Sequence, residues 1–271
     1  MLKKFDILGI LSASLNFSIK SFETSLKDLL LAFCGTFFGV ALAFVPVFVP
    51  KMFEGNIFSV FTFLILGILM FCFGFYKYLI LQLAYYISSR DYFLSSSIRE
   101  NEHYLNLAKD KEKPYIKLLC LLCLVYVLCS LPLILLSVYI GYAVVFMKTV
   151  PIFAVVVSLL YLLLISIFFS RLNIVLPYFS ANSNGNSLQV LKEAFNFSNK
   201  KAMLCFGYTF LFGVLYQVVD TILGLALTPF VMSVGANVSN AITVLKSIVL
   251  LFLFLPLTTS YYMGLYLKLS K

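Results

Sequence analysis

Apolar residues come in six long runs, which polar segments of unequal length separate. The runs cover about residues 29–49, 57–79, 115–139, 151–172, 202–223 and 246–267. Each run is on the order of 20 residues long, the length that an α-helix needs to cross the hydrocarbon core of a bilayer. The pattern predicts an all-α polytopic membrane protein in which six transmembrane helices form a single integral membrane domain over residues 1–271.

A polar segment with helical periodicity stands immediately before the fifth run. It covers residues 186–201 and places Leu188, Leu191 and Phe195 on one face of a helix. The other faces carry Gln189, Lys192, Glu193 and Asn196, and the segment ends in paired lysines. This pattern is typical of an amphipathic helix that lies in the membrane interface and leads the chain into a transmembrane span.

The same short pattern occurs three times at intervals of 90 residues. L-N-F-S begins at Leu15, L-N-L-A at Leu105 and F-N-F-S at Phe195, each before an apolar run. Equal spacing of similar segments indicates an internal repeat. We therefore predict three repeated hairpins, over about 1–86, 87–178 and 179–271, with rough threefold pseudosymmetry. Each is preceded by a cytoplasmic interfacial amphipathic helix, the first of them over about residues 5–18.

Composition supports a membrane protein over a soluble one. Of the 271 residues, 62% are hydrophobic and only 11% are charged, and the mean hydropathy is +1.02. A soluble domain carries roughly 25% charged residues. The formal net charge is +9, but the cations stand beside apolar runs, so anionic lipid headgroups are the expected partners and nucleic acid is not.

The distribution of lysine and arginine predicts the orientation. The termini and the two longest connections carry all but three of the 20 cations, the exceptions being Lys51, Lys148 and Lys246. Cytoplasmic segments of membrane proteins are enriched in lysine and arginine. Both termini are therefore predicted to be cytoplasmic, and the chain is predicted to lie in the plasma membrane.

Residue types that support catalysis are scarce. His103 is the only histidine and stands in a charged segment, where a solvated surface position is the favoured interpretation. Cys120 and Cys123 have the spacing of a redox or metal pair, but they lie inside an apolar run without a second pair. We therefore expect no catalytic residues, no metal ligands and no cofactor, and we expect that the protein is not an enzyme.

One polar constellation stands out within the spans. Asp220 is an acidic residue inside the fifth apolar run, where ionisable side chains are costly and are functional candidates by default. Gln217 precedes it by about one helical turn. Lys246 begins the sixth run from the same side and is predicted to pair with Asp220 at the same depth. The constellation is either a structural pair or a polar transport site, and the structural interpretation is favoured.

A family resemblance rests on residues 171–204. Arg171 ends a span, Pro177 and Tyr178 precede a polar loop, and the segment L-K-E-A-F follows, with Ser198 and two lysines before the next span. The segment resembles a broad group of six-helix prokaryotic membrane proteins. This group includes the membrane domain attached to some glycerophosphodiester phosphodiesterases and many stand-alone proteins of unassigned function. The resemblance implies the six-span fold but no hydrolase activity, because the chain has no counterpart of the catalytic barrel.

Three classes of function follow from these patterns. The first is a non-enzymatic membrane protein that organises or supports the membrane or a membrane complex, and we favour it. The alternative is a small-solute or ion transporter or channel that uses the polar site around Asp220. The third, an enzyme acting on lipid, is disfavoured because acid and base residues are missing.

Overall fold

The computed structural model describes residues 7–48, 57–149, 151–182, 186–232 and 236–270. These residues form nine α-helices and no strand. The helices are α1 (Ile7–Phe48), α2 (Ile57–Ser95), α3 (Asn101–Asp110), α4 (Glu112–Phe146), α5 (Ile152–Leu172), α6 (Val175–Asn182), α7 (Ser187–Asn199), α8 (Ala202–Met232) and α9 (Ala236–Leu269).

Six stretches of this helical chain are long and apolar enough to cross a membrane. They are Ile7–Pro46, Ile57–Ser95, Glu112–Phe146, Ile152–Asn182, Ala202–Pro229 and Ile242–Leu269. Each contains one of the six apolar runs, or most of it. The predicted class, an all-α multi-pass membrane protein with six spanning helices, is confirmed at this level.

The chain divides into two compact units. The first comprises the described residues of 1–110 and 212–264, and the second those of 111–211 and 265–271. The division falls inside α8 and α9, so each of these helices contributes to both units. The three repeat units predicted from the sequence remain a prediction.

In the first unit, α1 and α2 form an antiparallel hairpin with an aromatic core. The hairpin contributes Phe17, Tyr78 and Tyr85 to this core, and α9 contributes Phe252. All four side chains are at least nine-tenths buried. The rings of Tyr78 and Phe252 meet edge to face, with centroids 5.1 Å apart. Further along, the backbones of α1 and α2 approach closely where Gly35 and Gly39 face glycines of α2.

In the second unit, α7 packs against α4, α5 and α6. Tyr115 of α4 is fully buried and its ring contacts that of Phe179 in α6, with centroids 5.8 Å apart. The end of α9 is held in the same unit, because Lys201 Nζ donates to the Leu269 carbonyl at 2.6 Å. A lysine on the last carbonyls of a helix satisfies acceptors that have no partner within the helix.

The first amphipathic segment differs from its prediction. We expected a separate helix over about residues 5–18 followed by a span from Leu29, whereas α1 runs without interruption from Ile7 to Phe48. The intervening residues include no glycine or proline, so nothing ends the helix there. The beginning of the expected segment, before Ile7, lies outside the described residues.

Several helices also extend beyond the predicted spans. Helix α2 continues from Leu79 to Ser95 because side chains such as Leu83 and Ala84 are buried in protein there. Helix α8 extends beyond the apolar run that ends near residue 223 and continues through Pro229 to Met232. A short helix, α6, forms where we expected a loop, and Pro177 stands in its first turn, where a missing N–H is tolerated.

Candidate functional site

The structure brings Asp220 and Lys246 together. Lys246 Nζ lies 2.8 Å from Asp220 Oδ1, and the two side chains are 15% and 28% exposed, in that order. Asp220 lies on α8 and Lys246 on α9, both within the first unit. An ion pair at this distance offsets part of the cost of removing each charge from water.

Aromatic and small residues shape the surroundings of the pair. The ring of Tyr216, one turn before Asp220, meets that of Phe254 edge to face with centroids 5.2 Å apart. Gly224, one turn after Asp220, lies beside the lysine, since a Cβ built there would be in ordinary van der Waals contact with Lys246 Nζ at 3.7 Å. Tyr216 and Gly224 therefore flank Asp220 along α8, one helical turn on either side.

A small cavity of about 160 Å³ adjoins the pair. It is lined by Gly224, Leu227, Thr228, Ile242, Thr243 and Lys246. The Thr228 hydroxyl donates to the Gly224 carbonyl at 3.0 Å, and the Thr243 hydroxyl donates to the Ser239 carbonyl at 3.0 Å. Both hydroxyls are thus satisfied by their own helices, and among the described residues that line the cavity Lys246 is the charged one.

Gln217 does not join this pair. It lies on the exposed face of α8, and no side-chain hydrogen bond links its amide to Asp220 or to any other described residue. The spacing of three residues predicted proximity to Asp220, but proximity along a helix does not determine the direction of the side chain.

Arg171 holds α7 against the end of α5. Its guanidinium carbon lies 3.4 Å from the centroid of the Phe195 ring. Its Nη2 donates to the Phe195 carbonyl at 2.8 Å, and its Nε donates to Ser198 Oγ at 3.4 Å. The sequence placed Arg171 at a membrane interface but gave no signal for this contact, because its partners lie more than 20 residues away.

Helix α7 has one face inside the protein and one outside. Val190, Ala194 and Ser198 are buried, whereas Leu188 is 63% exposed. The predicted apolar face lines a groove of about 310 Å³ formed by Val125, Phe168, Leu172, Leu188, Leu191, Lys192 and Phe195. The face of α7 that packs on protein is therefore the one with small residues. Of the larger apolar side chains, Leu188 is exposed, whereas Leu191 and Phe195 are half-buried beside Lys192.

A second polar contact was missed in the sequence. Asn101 Nδ2 at the start of α3 donates to Asp28 Oδ2 of α1 at 2.7 Å. Tyr104, in the same helix α3, accepts a hydrogen bond from the Arg99 backbone N–H at 3.2 Å. Burial raises the pKa of its phenol group. The position of Asp28 directly before an apolar run was the available signal. It marks an acid at a membrane boundary and predicts no partner.

The remaining candidates, His103 and the two cysteines, lie on α3 and α4, away from the pair of Asp220 and Lys246. His103 is exposed and its Nε2 lies 3.3 Å from Arg99 Nη1. Cys120 and Cys123 are exposed on α4. Within the described ranges, no cluster of histidine, cysteine, aspartate or glutamate side chains could hold a metal ion.

Replacing Arg171 by lysine is expected to loosen α7 while the six long helices persist. An ammonium group cannot make the guanidinium's two directed hydrogen bonds and stack on the Phe195 ring at the same time. Amide hydrogen exchange in α7 should rise by about tenfold, which corresponds to roughly 1.4 kcal/mol of lost local stability. The matched control is Lys77→Arg on α2, which should leave exchange in α7 unchanged. Equal exchange in α7 for Arg171→Lys and the parent protein would contradict the anchoring role.

The fold and these contacts define a multi-pass α-helical membrane protein with a neutralised charged pair in one unit and an arginine-anchored helix in the other. No family model, curated protein or solved structure matches the chain. The resemblance to the six-helix prokaryotic group stays a prediction.

Proposed function

We propose that this protein is a non-enzymatic, multi-pass protein of the plasma membrane. It organises or supports the bilayer, or a membrane complex, by binding anionic lipid headgroups at its cytoplasmic face. The observation that carries the proposal is the outward face of α7. Leu188 is exposed and Leu191, Lys192 and Phe195 line an open apolar groove.

The outward face of α7 is more stable against lipid than against water. In water, the apolar surface that Leu188 and the groove leave exposed costs about 25 cal/mol for each Å² that could be buried. At the boundary between headgroups and acyl chains the same side chains are buried, and a lysine beside them meets anionic headgroups. Each lysine near an anionic surface contributes about 1 kcal/mol of attraction. Lys192 at the groove therefore favours an anionic over a zwitterionic lipid.

The proposal includes an orientation and a repeated architecture. We infer that both termini and the connections carrying most cations are cytoplasmic, because of the charge distribution. We also infer that three hairpin units follow three interfacial helices, because the pattern recurs every 90 residues.

Externally added thiol reagent is expected to label cysteines placed at Gly55 and Asn237 and to spare those at Asn106 and Gly185. Labelling at Asn106 would reverse the orientation. Gly55 and Gly185 lie outside the described residues.

The lipid contact can be tested with a unique fluorophore, because the chain contains no tryptophan. Leu188→Trp places one on the outward face of α7, and Gln189→Trp places one on its polar face as a matched control. In vesicles containing brominated phosphatidylglycerol, the Leu188→Trp emission is expected to be quenched at least about twofold more than that of Gln189→Trp. Replacing the brominated lipid by brominated phosphatidylcholine should reduce this quenching.

Lys192→Gln is the variant that separates lipid contact from lipid preference. In the Leu188→Trp background it should remove most of the preference for brominated phosphatidylglycerol and leave general quenching by lipid intact. Equal quenching at positions 188 and 189 would reject the proposed membrane contact. An anionic preference that survives Lys192→Gln would reject the assignment of that preference to Lys192.

The alternative, a small-solute or ion transporter, has one observation in its favour. The cavity of about 160 Å³ beside Lys246 places a cation next to space for a small anion or for water. A transporter built on this site would show flux in proteoliposomes that disappears in Asp220→Asn. We favour the organising role because the pair itself is closed at 2.8 Å.

A further inference from the structure

One exposed face of α8 has an unexpected composition. Within the first unit, this face consists of Gly213, Val214, Gln217, Val218, Thr221, Ile222 and Leu225, all of them exposed. Its apolar members are between 46% and 68% exposed, as expected for side chains that meet lipid. The Thr221 hydroxyl donates to the Gln217 carbonyl at 2.8 Å, so it is satisfied within the helix.

Gln217 is the exception on this face. It stands 15 residues after Ala202, which is about 22 Å along the helix axis and inside a hydrocarbon layer of about 30 Å. Its side-chain amide has no hydrogen-bond partner among the described residues. An amide in hydrocarbon without a partner is costly, and such side chains in membranes usually bond across to another helix.

Gly213 lies one turn before Gln217 on the same face. A Cβ built at this position would meet nothing within 4 Å, so no packing inside the chain requires a glycine here. Glycine in the middle of a helix costs roughly 1 kcal/mol relative to alanine. Small residues on a membrane-facing helix permit the close approach of a second helix. This glycine and the unpaired amide therefore indicate the same face independently.

We propose that this face of α8 binds the same face of a second copy of the chain, with the two Gln217 amides hydrogen-bonded to each other. Two copies inserted in the same orientation present Gln217 at the same depth. An isologous interface then brings each residue to its own counterpart. A carboxamide carries both donors and an acceptor, so two of them satisfy each other reciprocally.

The neighbouring charges are compatible with this approach. Asp220, the acid of α8 beside this face, is already neutralised by Lys246 within its own chain. Two copies therefore bring together two closed ion pairs and no unpaired charge. The proposal goes beyond the lipid-organising role and does not depend on it, since α8 and not α7 carries it.

The test measures association of the full chain in vesicles by energy transfer between labelled copies, over a range of protein-to-lipid ratios. The parent protein is expected to form dimers. Gln217→Leu should weaken the dimer about tenfold, because the reciprocal amide bonds are lost. Thr221→Val is the matched control on the same face and should leave association unchanged, since that hydroxyl already bonds its own backbone.

Gly213→Leu supplies a second, independent variant. Because the site is open within the chain, this change should not lower thermal stability and should still weaken the dimer by a similar factor. Disulfide formation can locate the interface in a chain whose exposed Cys72, Cys120 and Cys123 are replaced by alanine. Val214→Cys should cross-link between copies, and Leu253→Cys, exposed on α9, should not.

The association and cross-linking measurements give different results if the proposal is right and if it is wrong. Monomers at every protein-to-lipid ratio would reject the proposal. A dimer whose stability is unchanged by Gln217→Leu and Gly213→Leu would also reject it, as would cross-linking at 253 in preference to 214. A dimer weakened by both replacements but not by Thr221→Val would support it.

Discussion

Replacing Gly39 by alanine is expected to destabilise the protein strongly, although it adds only one methyl group. A Cβ at Gly39 would lie 2.3 Å from the Phe71 backbone nitrogen and 2.8 Å from the Gly67 carbonyl oxygen. Both are backbone atoms of α2, so no side-chain rotation relieves the clash. The helices must separate, and overpacking of this kind costs about 3 kcal/mol or more.

The measurement is thermal unfolding in detergent, followed by helical circular dichroism. Gly39→Ala and Gly74→Ala should both lower the melting temperature by several degrees, since a Cβ at Gly74 would lie 2.1 Å from the Thr36 nitrogen. Gly141→Ala on α4 is the matched control. Its added methyl group meets nothing within 4 Å, so it should be neutral or slightly stabilising. Equal melting temperatures for Gly39→Ala and Gly141→Ala would show that α1 and α2 are not held at this distance.

The close approach of α1 and α2 could have been recognised in the sequence. Gly35 and Gly39 form a G-x-x-x-G pattern, and Gly67 and Gly74 are spaced seven residues apart, so each pair shares one helical face. Such patterns mark helix contacts in membranes because small residues let backbones meet. The pairing of the two helices follows from their short connection.

The six spans were predictable because hydrocarbon imposes a length and a composition on any helix that crosses it. The ends of the helices were less predictable from the sequence. Helix α2 continues well past Leu79 because its later side chains are buried in protein, and burial by distant segments leaves no local pattern. Tertiary packing likewise decides that the small residues of α7, such as Ala194, face inward, while Leu188 faces outward.

The polar contacts likewise differ in how far the sequence predicts them. Asp220 and Lys246 could be paired from depth alone, since two antiparallel spans place them at the same level. Arg171 and the Phe195 carbonyl could not, because a backbone acceptor carries no signal in the sequence. The contact between Asp28 and Asn101 depends on where α3 returns against α1, and side-chain spacing does not predict that position.

Removing the Asp220 charge alone is expected to destabilise the protein more than removing both charges of the pair. Asp220→Asn leaves the Lys246 ammonium without its partner at 2.8 Å in a largely buried position. Breaking a buried pair from one side typically costs about 3 kcal/mol, because the remaining charge stays desolvated. Lys246→Met should cost a similar amount, since it leaves the carboxylate alone.

The double variant Asp220→Asn with Lys246→Met should recover most of this loss, because no unpaired charge remains and methionine fills the space of the lysine stem. The measurement is a double-mutant cycle on thermal unfolding in detergent. We expect a coupling of about 2 kcal/mol between the two positions. Additive losses would mean that the two charges do not stabilise each other. A double variant as stable as the parent protein that nonetheless loses solute flux in proteoliposomes would give the pair a role in transport.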